Sequence, residues 1–237
     1  MVTTVGYYCT GGYTETGGMD QFLHKVNDQV TWKRCFPAVT KPSPKLKRPD
    51  PTPVVSHNGI TGEQLVTQMI DRLQKYGCDY DCILFIDDAD CRFDGDLEAY
   101  QKWVEELQAQ INRTLRREVP LYVLLASPEI EGWFLADWGN GFGKEYKQIK
   151  HALHAEIKKM FGDDASFSNL EHYGGPLANG ACTSKISSQI QDIVTLCGDR
   201  YSKKSNGSAM LKQIVPNVVA QTCTAYFAPT YRMLAAL

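Results

Sequence analysis

DCILFIDDAD, residues 81–90, is the most informative stretch for the architecture of this chain. Its apolar residues Ile83 to Ile86 follow one another without alternation, and acidic residues begin directly after them. An unbroken apolar run is typical of a strand that is buried on both faces of a parallel sheet. We therefore predict a central strand over residues 82–87.

The segments around this strand alternate between apolar runs and helical patterns. Residues 61–76 and 97–117 carry apolar side chains at helical spacing, and a short helix is predicted within 19–30. TTVGYYC, at residues 3–9, and LYVLLA, at 121–126, are the other strand candidates. This alternation predicts an α/β fold with a mostly parallel central sheet flanked by helices.

The last third of the chain has a helical character. Residues 144–161, 184–197 and 205–221 are amphipathic, and we predict one helix in each. The expected organisation is an α/β core over residues 1–140, with a helical C-terminal lobe over 141–237 that packs on it within a single domain.

Length and charge narrow the class of protein. A chain of 237 residues with a formal net charge of −2 is too acidic to be a polybasic nucleic-acid coat. It contains no run near the roughly 20 apolar residues of a membrane span, and its N-terminus lacks a signal-peptide pattern, so we expect a cytoplasmic protein. Its eight cysteines contain no C-x-x-C pair, which favours reduced thiols over zinc or disulfides.

Acidic residues cluster at the predicted carboxyl end of the central strand. Asp87, Asp88, Asp90 and Asp94 fall within eight positions. Ligands of open α/β sheets bind outside the carboxyl ends of the strands, and crowded carboxylates there are usually stabilised by a divalent cation. We therefore expect a Mg²⁺ or Mn²⁺ site, although solvated acids that cap a helix would give the same pattern.

Two further segments are expected at this sheet edge. Glu131 follows the strand at 121–126, so its carboxylate can lie beside Asp88 and Asp90. Alternatively, its negative charge only stabilises the N-terminus of the following helix. A glycine turn runs from Thr10 to Gly18 after the first strand and contains Glu15. Such a turn permits close approach of an anion, but it also occurs as an ordinary turn.

Basic residues occupy two predicted loops. Residues 37–58 hold six of the chain's eleven prolines, which prevent regular structure, and a second turn precedes the helix predicted at 205–221. If both loops surround the acidic site, their basic residues could contact phosphates. Otherwise these residues only keep the loops soluble. The nucleic-acid-binding candidates are Lys45, Lys47, Arg48, Lys203 and Lys204.

The glycine turn and the aspartates together resemble the TOPRIM domain of topoisomerases, primases and OLD-type nucleases. Asp88-Ala89-Asp90 looks like the aspartate motif of that superfamily, and Thr10 to Glu15 looks like its glutamate–glycine turn. Where the superfamily places its glutamate, this chain has Gly11, and the nearest acid is Glu15. The resemblance implies a Rossmann-like sheet. The implied catalytic residues are Glu15, Asp88 and Glu131, and the implied metal ligands are Asp87, Asp88, Asp90 and Glu131.

A narrower resemblance concerns SPEIEGWFLAD, residues 127–137. It looks like the strand-end signature of small TOPRIM-like bacterial proteins related to the RloB group, which occur beside ATPases in defence and mobile-element loci. The resemblance implies a function in anti-phage defence and an ATPase partner.

Three functions are compatible with these features. The first is a Mg²⁺-dependent nuclease, or a related phosphoryl-transfer enzyme, that acts on DNA or RNA. The second is a catalytically degenerate TOPRIM-like binding or regulatory subunit that works with a partner ATPase, or as a homo-oligomer. The third is a small-molecule phosphatase or nucleotide-binding protein.

Overall fold

The structure is a computed structural model that describes residues 2–37, 59–90, 92–93, 95–161, 167, 170–173 and 185–237. The strands are β1 (Thr4–Cys9), β2 (Thr31–Phe36), β3 (Cys82–Asp88) and β4 (Leu121–Ala126). The helices before β4 are α1 (Tyr13–Val26), α2 (Gly62–Tyr76) and α3 (Leu97–Leu115). Those after it are α4 (Glu131–Ala136), α5 (Phe142–Glu145), α6 (Lys150–Met160), α7 (Ile186–Leu196), α8 (Ser208–Gln213), α9 (Pro216–Thr222) and α10 (Phe227–Ala235). A short 3₁₀ turn covers Leu170–His172, and a π-helical turn covers Lys203–Gly207.

The four strands found among the described residues form one parallel sheet in the order β2-β1-β3-β4. Tyr7 of β1 is aligned with Leu84 of β3, which is aligned in turn with Tyr122 of β4. The predicted α/β class with a parallel central sheet is therefore confirmed, and the arrangement is consistent with a Rossmann-like fold. Because all strands run in the same direction, their carboxyl ends meet at one edge.

The sheet is covered on both faces, as the apolar character of β3 predicts. Leu84 and Ile86 belong to the larger apolar core, which also contains buried residues of α1, α4 and the C-terminal helices. Ile83 and Phe85 point to the other face, where they share a core with α2 and α3. Alternate residues of a strand point to opposite faces, so neighbouring acids at the end of β3 are also separated.

Two N-terminal elements differ from the sequence prediction. Strand β2 was not predicted, because it is an edge strand with exposed charged positions and no strong apolar run.

Helix α1 begins at Tyr13 and not near residue 19, so Gly17 and Gly18 lie within it. A Cβ atom at Gly17 would come within 2.1 Å of the Ser208 hydroxyl oxygen. Glycine lowers helix propensity here, but it permits the close packing of α1 against α8.

The prediction of one continuous helix over residues 205–221 is wrong, although the segment is helical. The structure divides this segment into the π-helical turn, α8 and α9. Pro216 occupies the first turn of α9, where its missing N–H is tolerated, and α8 ends before Ile214. The amide of Val215 donates instead to Oδ2 of Asp137 at 2.7 Å. The π-helical turn lies against α1, where the hydroxyl of Thr14 donates to the carbonyl oxygen of Lys203 at 3.0 Å.

Helices α2 and α3 are amphipathic. The longest, α3, has 19 residues and buries Leu107 and Ile111 while its other side is charged. No helix in the described part of the chain has the length and apolar character needed to cross a membrane.

Candidate functional site

A hydrogen bond between a side chain and the backbone joins the carboxyl end of β3 to the residue that precedes α4. Asp88, the last residue of β3, is aligned with Ala126 at the end of β4. The chain then turns back, and the amide of Ile130 donates to Oδ1 of Asp88 at 3.0 Å. Asp88 and the start of α4 therefore lie at the same sheet edge, as the sequence predicts.

Glu131 lies at this edge and is completely buried. It is the first residue of α4, and none of its surface is exposed. The hydroxyl of Tyr201 donates to its Oε1 atom at 2.7 Å, and Nζ of Lys203 lies 3.2 Å from the same oxygen. Burial of a carboxylate is costly unless it is paired and hydrogen-bonded, and these two partners provide both.

Glu129 is a second buried carboxylate beside Glu131. Only 3% of its surface is exposed. The amide and hydroxyl of Ser187, at the start of α7, donate to it at 3.0 and 2.9 Å. Nζ of Lys203 lies 3.5 Å from its Oε1 atom. One ammonium group therefore contacts the carboxylates of both Glu129 and Glu131.

Glu15 approaches the same region from the first turn of α1. It is buried, and a Cβ atom at Gly12 would lie 2.7 Å from its Oε2 atom, so the carboxylate is folded over the glycine turn. Burial raises the pKa of Glu15, and the negative charge of Glu131 raises it further. Glycine at position 12 leaves the space that this carboxylate occupies.

Electrostatic coupling joins these residues into one cluster. Burial raises the pKa of Asp88 well above its usual value, and the charges of Glu15, Glu131 and Glu129 raise it further. Burial alone would lower the pKa of Lys203, but the surrounding carboxylates outweigh it and raise that pKa. We call Glu15, Asp88, Glu129 and Glu131 the carboxylate cluster. When all four are ionised, they carry more negative charge than the single positive charge of Lys203 offsets.

Asp87 is not brought to the carboxylate cluster. It points to the opposite face of the sheet, where its Oδ2 atom forms an ion pair with Arg92 and accepts from the amide of Gly62 at 2.9 Å. Burial raises the pKa of Asp87 to about 6, although Arg92 opposes the shift. This environment is that of a structural ion pair that anchors the start of α2.

Asp90 lies farther along the turn and is partly exposed. Its backbone has a φ of 47°, in the left-handed region. Nζ of Lys185 lies 3.3 Å from its Oδ1 atom, so this carboxylate already has a cationic partner. Asp90 and Asp88 are therefore near in sequence but have different partners.

The predicted basic residues separate into three groups. Lys203 lies among the carboxylates rather than on a rim around them. Lys204 is exposed, with its Nζ atom 5.3 Å from the centre of the Tyr13 ring. Lys45, Lys47 and Arg48 lie outside the described residues.

The carboxylate cluster has the ligand type that a divalent cation prefers, but its side chains are not arranged around a cation position. Carboxylate oxygens are the preferred protein ligands of Mg²⁺ and Mn²⁺. Within the described residues, no group of three or more His, Cys, Asp or Glu side chains is arranged to hold a metal ion. Lys203 contacts two of the acids, so binding of a cation would require this ammonium group to move.

Sequence reasoning missed two residues that shape the cluster. Tyr201 and Ser187 hydrogen-bond to Glu131 and Glu129 across 70 and 58 residues of chain. No local motif marks either residue, because helix packing in the C-terminal third brings them to the sheet edge.

Comparison of the chain with protein-family models, curated proteins and solved structures finds no match.

Proposed function

We propose that this protein is a Mg²⁺- or Mn²⁺-dependent phosphoryl-transfer enzyme of TOPRIM-like type that hydrolyses phosphodiester bonds in nucleic acid. The observation that supports it is the convergence of Asp88, Glu131 and Glu15 at the carboxyl edge of the parallel sheet, with raised pKa values for Asp88 and Glu15. Such like-charge crowding is unfavourable without a cation, and it is characteristic of functional sites.

The residues of the cluster can divide the chemical work. Asp88 and Glu131 would hold the cation, with Glu129 beside them and Tyr201 orienting the Glu131 carboxylate. When bound, the cation would polarise the phosphodiester and lower the pKa of a water molecule. The raised pKa of Glu15 suits a carboxyl group that takes up or releases a proton during the reaction.

Lys203 would then contact the phosphate. Its side chain keeps 45% of its surface exposed, so its ammonium group can exchange a carboxylate partner for a phosphate oxygen. The proposal therefore assigns to Lys203 a movement away from Glu131 when a cation and a phosphodiester are present.

Cleavage assays test this proposal directly. Supercoiled plasmid, single-stranded DNA and RNA are incubated with Mg²⁺, Mn²⁺ or EDTA. We expect metal-dependent cleavage that Asp88→Asn and Glu131→Gln each reduce by about 100-fold or more. Asp71→Asn, an exposed carboxylate on α2, is the matched control and should retain full activity. Cleavage that persists unchanged in both site variants would exclude this site.

A second candidate function is a metal-free binding subunit that works with a partner such as an ATPase. It is favoured by the contacts of Lys203 with both Glu129 and Glu131, since an ammonium group then supplies the positive charge. Calorimetric titration with Mg²⁺ separates the two functions. Heat that Asp88→Asn abolishes supports the enzyme, and no heat together with no cleavage supports the binding subunit.

A further inference from the structure

A positively charged surface lies on α5, the turn at residues 146–149, and α6. Residues 138–160 contain five lysines and two glutamates and so carry a net charge of +3, whereas the whole chain carries −2. We call this region the α5–α6 surface. Local concentration of charge in an otherwise acidic protein points to a polyanionic ligand.

Three of the five lysines of this surface have no acidic partner within the described residues. Of the two glutamates, Glu156 pairs with Lys159 at 2.6 Å, and Glu145 accepts from the side-chain amide of Asn206 at 2.8 Å. Lys144, Lys147 and Lys150 are exposed, and no carboxylate in the described parts of the chain lies within ion-pair distance of them.

The positive potential of the surface also affects nearby groups. Burial lowers the pKa of Lys25, and the charge of Lys144 lowers it further. Burial likewise lowers the pKa of His154, with Lys158 and His151 acting in the same direction. In both groups burial is the larger cause and the neighbouring positive charges add to it, while the charge of Asp137 opposes the shift of Lys25.

A cavity of about 300 Å³ opens in this surface. Its lining includes Trp138, whose ring centroid lies 4.6 Å from that of His154 and 6.3 Å from that of Phe142. These contacts hold the indole ring in place. Lys150 and His151 also line the cavity, so it combines an aromatic wall with a cationic side. Aromatic walls with adjoining cations are characteristic of sites that accept a base and its phosphates.

The α5–α6 surface adjoins the segment that carries Tyr201 and Lys203. The hydroxyl of Tyr146 donates to the carbonyl oxygen of Arg200 at 3.1 Å, and the ring centroids of Phe142 and Tyr201 are 5.8 Å apart. The region of α5 therefore packs directly against the segment whose Tyr201 and Lys203 contact the carboxylate cluster.

We propose that the α5–α6 surface binds single-stranded nucleic acid, with phosphates along Lys144, Lys147 and Lys150 and one base in the cavity beside Trp138. The inference rests on the proposed function, because it names the substrate class and the path by which that substrate reaches the cluster. Stacking in the cavity requires an unpaired base, and this requirement favours a single strand over a duplex.

Binding is measured without catalysis, using fluorescence anisotropy of a labelled oligonucleotide of about 20 nucleotides in EDTA. We expect the triple variant Lys144→Glu, Lys147→Glu, Lys150→Glu to bind at least ten-fold more weakly at low salt. Three lost phosphate contacts should reduce the log–log salt slope by about 2. The control is Lys75→Glu, Lys102→Glu, Arg113→Glu, which changes the net charge equally on α2 and α3. We expect its affinity to stay within about two-fold, since α2 and α3 pack on the other face of the sheet from α5 and α6 and their substitution removes no contact of the α5–α6 surface.

Photochemical crosslinking locates the bound strand without any substitution. Oligonucleotides that carry 5-bromouracil should crosslink to the peptide containing Trp138 to Lys150. An absence of binding by the unmodified protein, crosslinks confined to other peptides, or equal losses in the two triple variants would overturn the inference. Binding of labelled polyglutamate by a protein that does not bind the oligonucleotide would assign the surface to an acidic protein and would also overturn the inference.

The results separate this inference from the proposed function. Binding through the α5–α6 surface without metal-dependent cleavage supports the surface and rejects the enzyme. Cleavage that the triple variant leaves unchanged supports the enzyme and rejects the surface.

Discussion

The Nζ atom of Lys203 lies 3.2 Å from the Oε1 atom of Glu131, in the middle of the carboxylate cluster. The same ammonium group lies 3.5 Å from Glu129, and its charge lowers the pKa of Asp88 and of Glu15. One lysine therefore partly neutralises a group of acids that the sheet edge and α1 bring together. The stability of this region should depend on that lysine and on pH.

Replacement of Lys203 by methionine should destabilise the protein near neutral pH. Without the ammonium group, the pKa values of Asp88 and Glu15 rise further in the folded state, which then binds more protons than the unfolded state. The stability of the variant therefore falls as the pH rises through the folded-state pKa values of Asp88 and Glu15. Because Lys203 is nearly half exposed, we expect a loss of about 1 kcal/mol in urea unfolding near neutral pH.

The loss should shrink at acidic pH, where Asp88 and Glu15, whose pKa values are raised in the folded state, take up protons in both variants. Lys204→Met is the matched control, since this neighbouring lysine is exposed beside the Tyr13 ring and away from the cluster. An equal loss in both variants, or a loss that does not change with pH, would contradict the assigned contact.

The position of the site was predictable from sequence, but its composition was predictable only in part. The run from Ile83 to Asp88 indicates a buried strand with acids at its carboxyl end, and parallel strands necessarily place Glu131 at the same edge. Asp87 is different, because alternation along the strand turns it to the opposite face, where Arg92 binds it. Spacing alone treated it and Asp88 as equivalent.

The fold was likewise predictable only in part. β1, β3 and β4 were predicted because their apolar runs reflect burial on both faces. β2 has an edge position that requires no such run, and Gly17 and Gly18 obscured the start of α1 because their contacts lie in α8. Tertiary packing outweighs local propensity in both cases.

Asp88→Asn should stabilise the protein when divalent cations are absent. The raised pKa of Asp88 means that its charged form is disfavoured in the folded state near neutral pH, and asparagine removes that charge while its Oδ1 atom can still accept from Ile130. A gain of about 1 kcal/mol would raise the midpoint of thermal unfolding by roughly 2–4 °C for a domain of this size. Scanning calorimetry in EDTA measures the change, which should disappear at acidic pH.

Mg²⁺ should reverse the order of stability. If the cluster binds the cation as proposed, the wild-type protein gains stability in proportion to the logarithm of the Mg²⁺ concentration, while Asp88→Asn gains little. Equal midpoints in Mg²⁺ and in EDTA for the wild-type protein would count against the metal site. Glu105→Gln, an exposed acid on α3, controls for general effects of charge.

Arg92→Met should destabilise the fold strongly above neutral pH. The substitution leaves the buried Asp87 carboxylate without its cationic partner, which typically costs about 3–5 kcal/mol for a buried pair. The pKa of Asp87, already raised to about 6, would rise further, so the loss should lessen as pH falls and the carboxyl group takes up a proton. Urea unfolding near pH 8 and near pH 5 tests this dependence.

The double variant Arg92→Met, Asp87→Asn removes the buried charge and should recover part of the lost stability. Arg113→Met, on an exposed position of α3, should have little effect at either pH. Failure of the double variant to exceed Arg92→Met in stability near pH 8 would show that the other contacts of Arg92 dominate, including its bond to the carbonyl oxygen of Asp88.

Glu171 should control the stability of α10 independently of the carboxylate cluster. Its buried carboxylate accepts hydrogen bonds from the amides of Ala225, Tyr226 and Phe227 at 2.6, 3.0 and 3.2 Å, while its carbonyl oxygen accepts from the Ser127 hydroxyl. Glu171→Ala leaves three amide donors at the start of α10 without this partner. Since each unsatisfied buried donor costs about 1–3 kcal/mol and water can reach some of them, we expect a total loss of about 3 kcal/mol.

Hydrogen exchange should accelerate in Phe227–Ala235 more than in α3, and Glu105→Ala should leave the exchange of both helices unchanged. Acceleration spread evenly over both helices would mean that Glu171 supports the whole fold rather than α10.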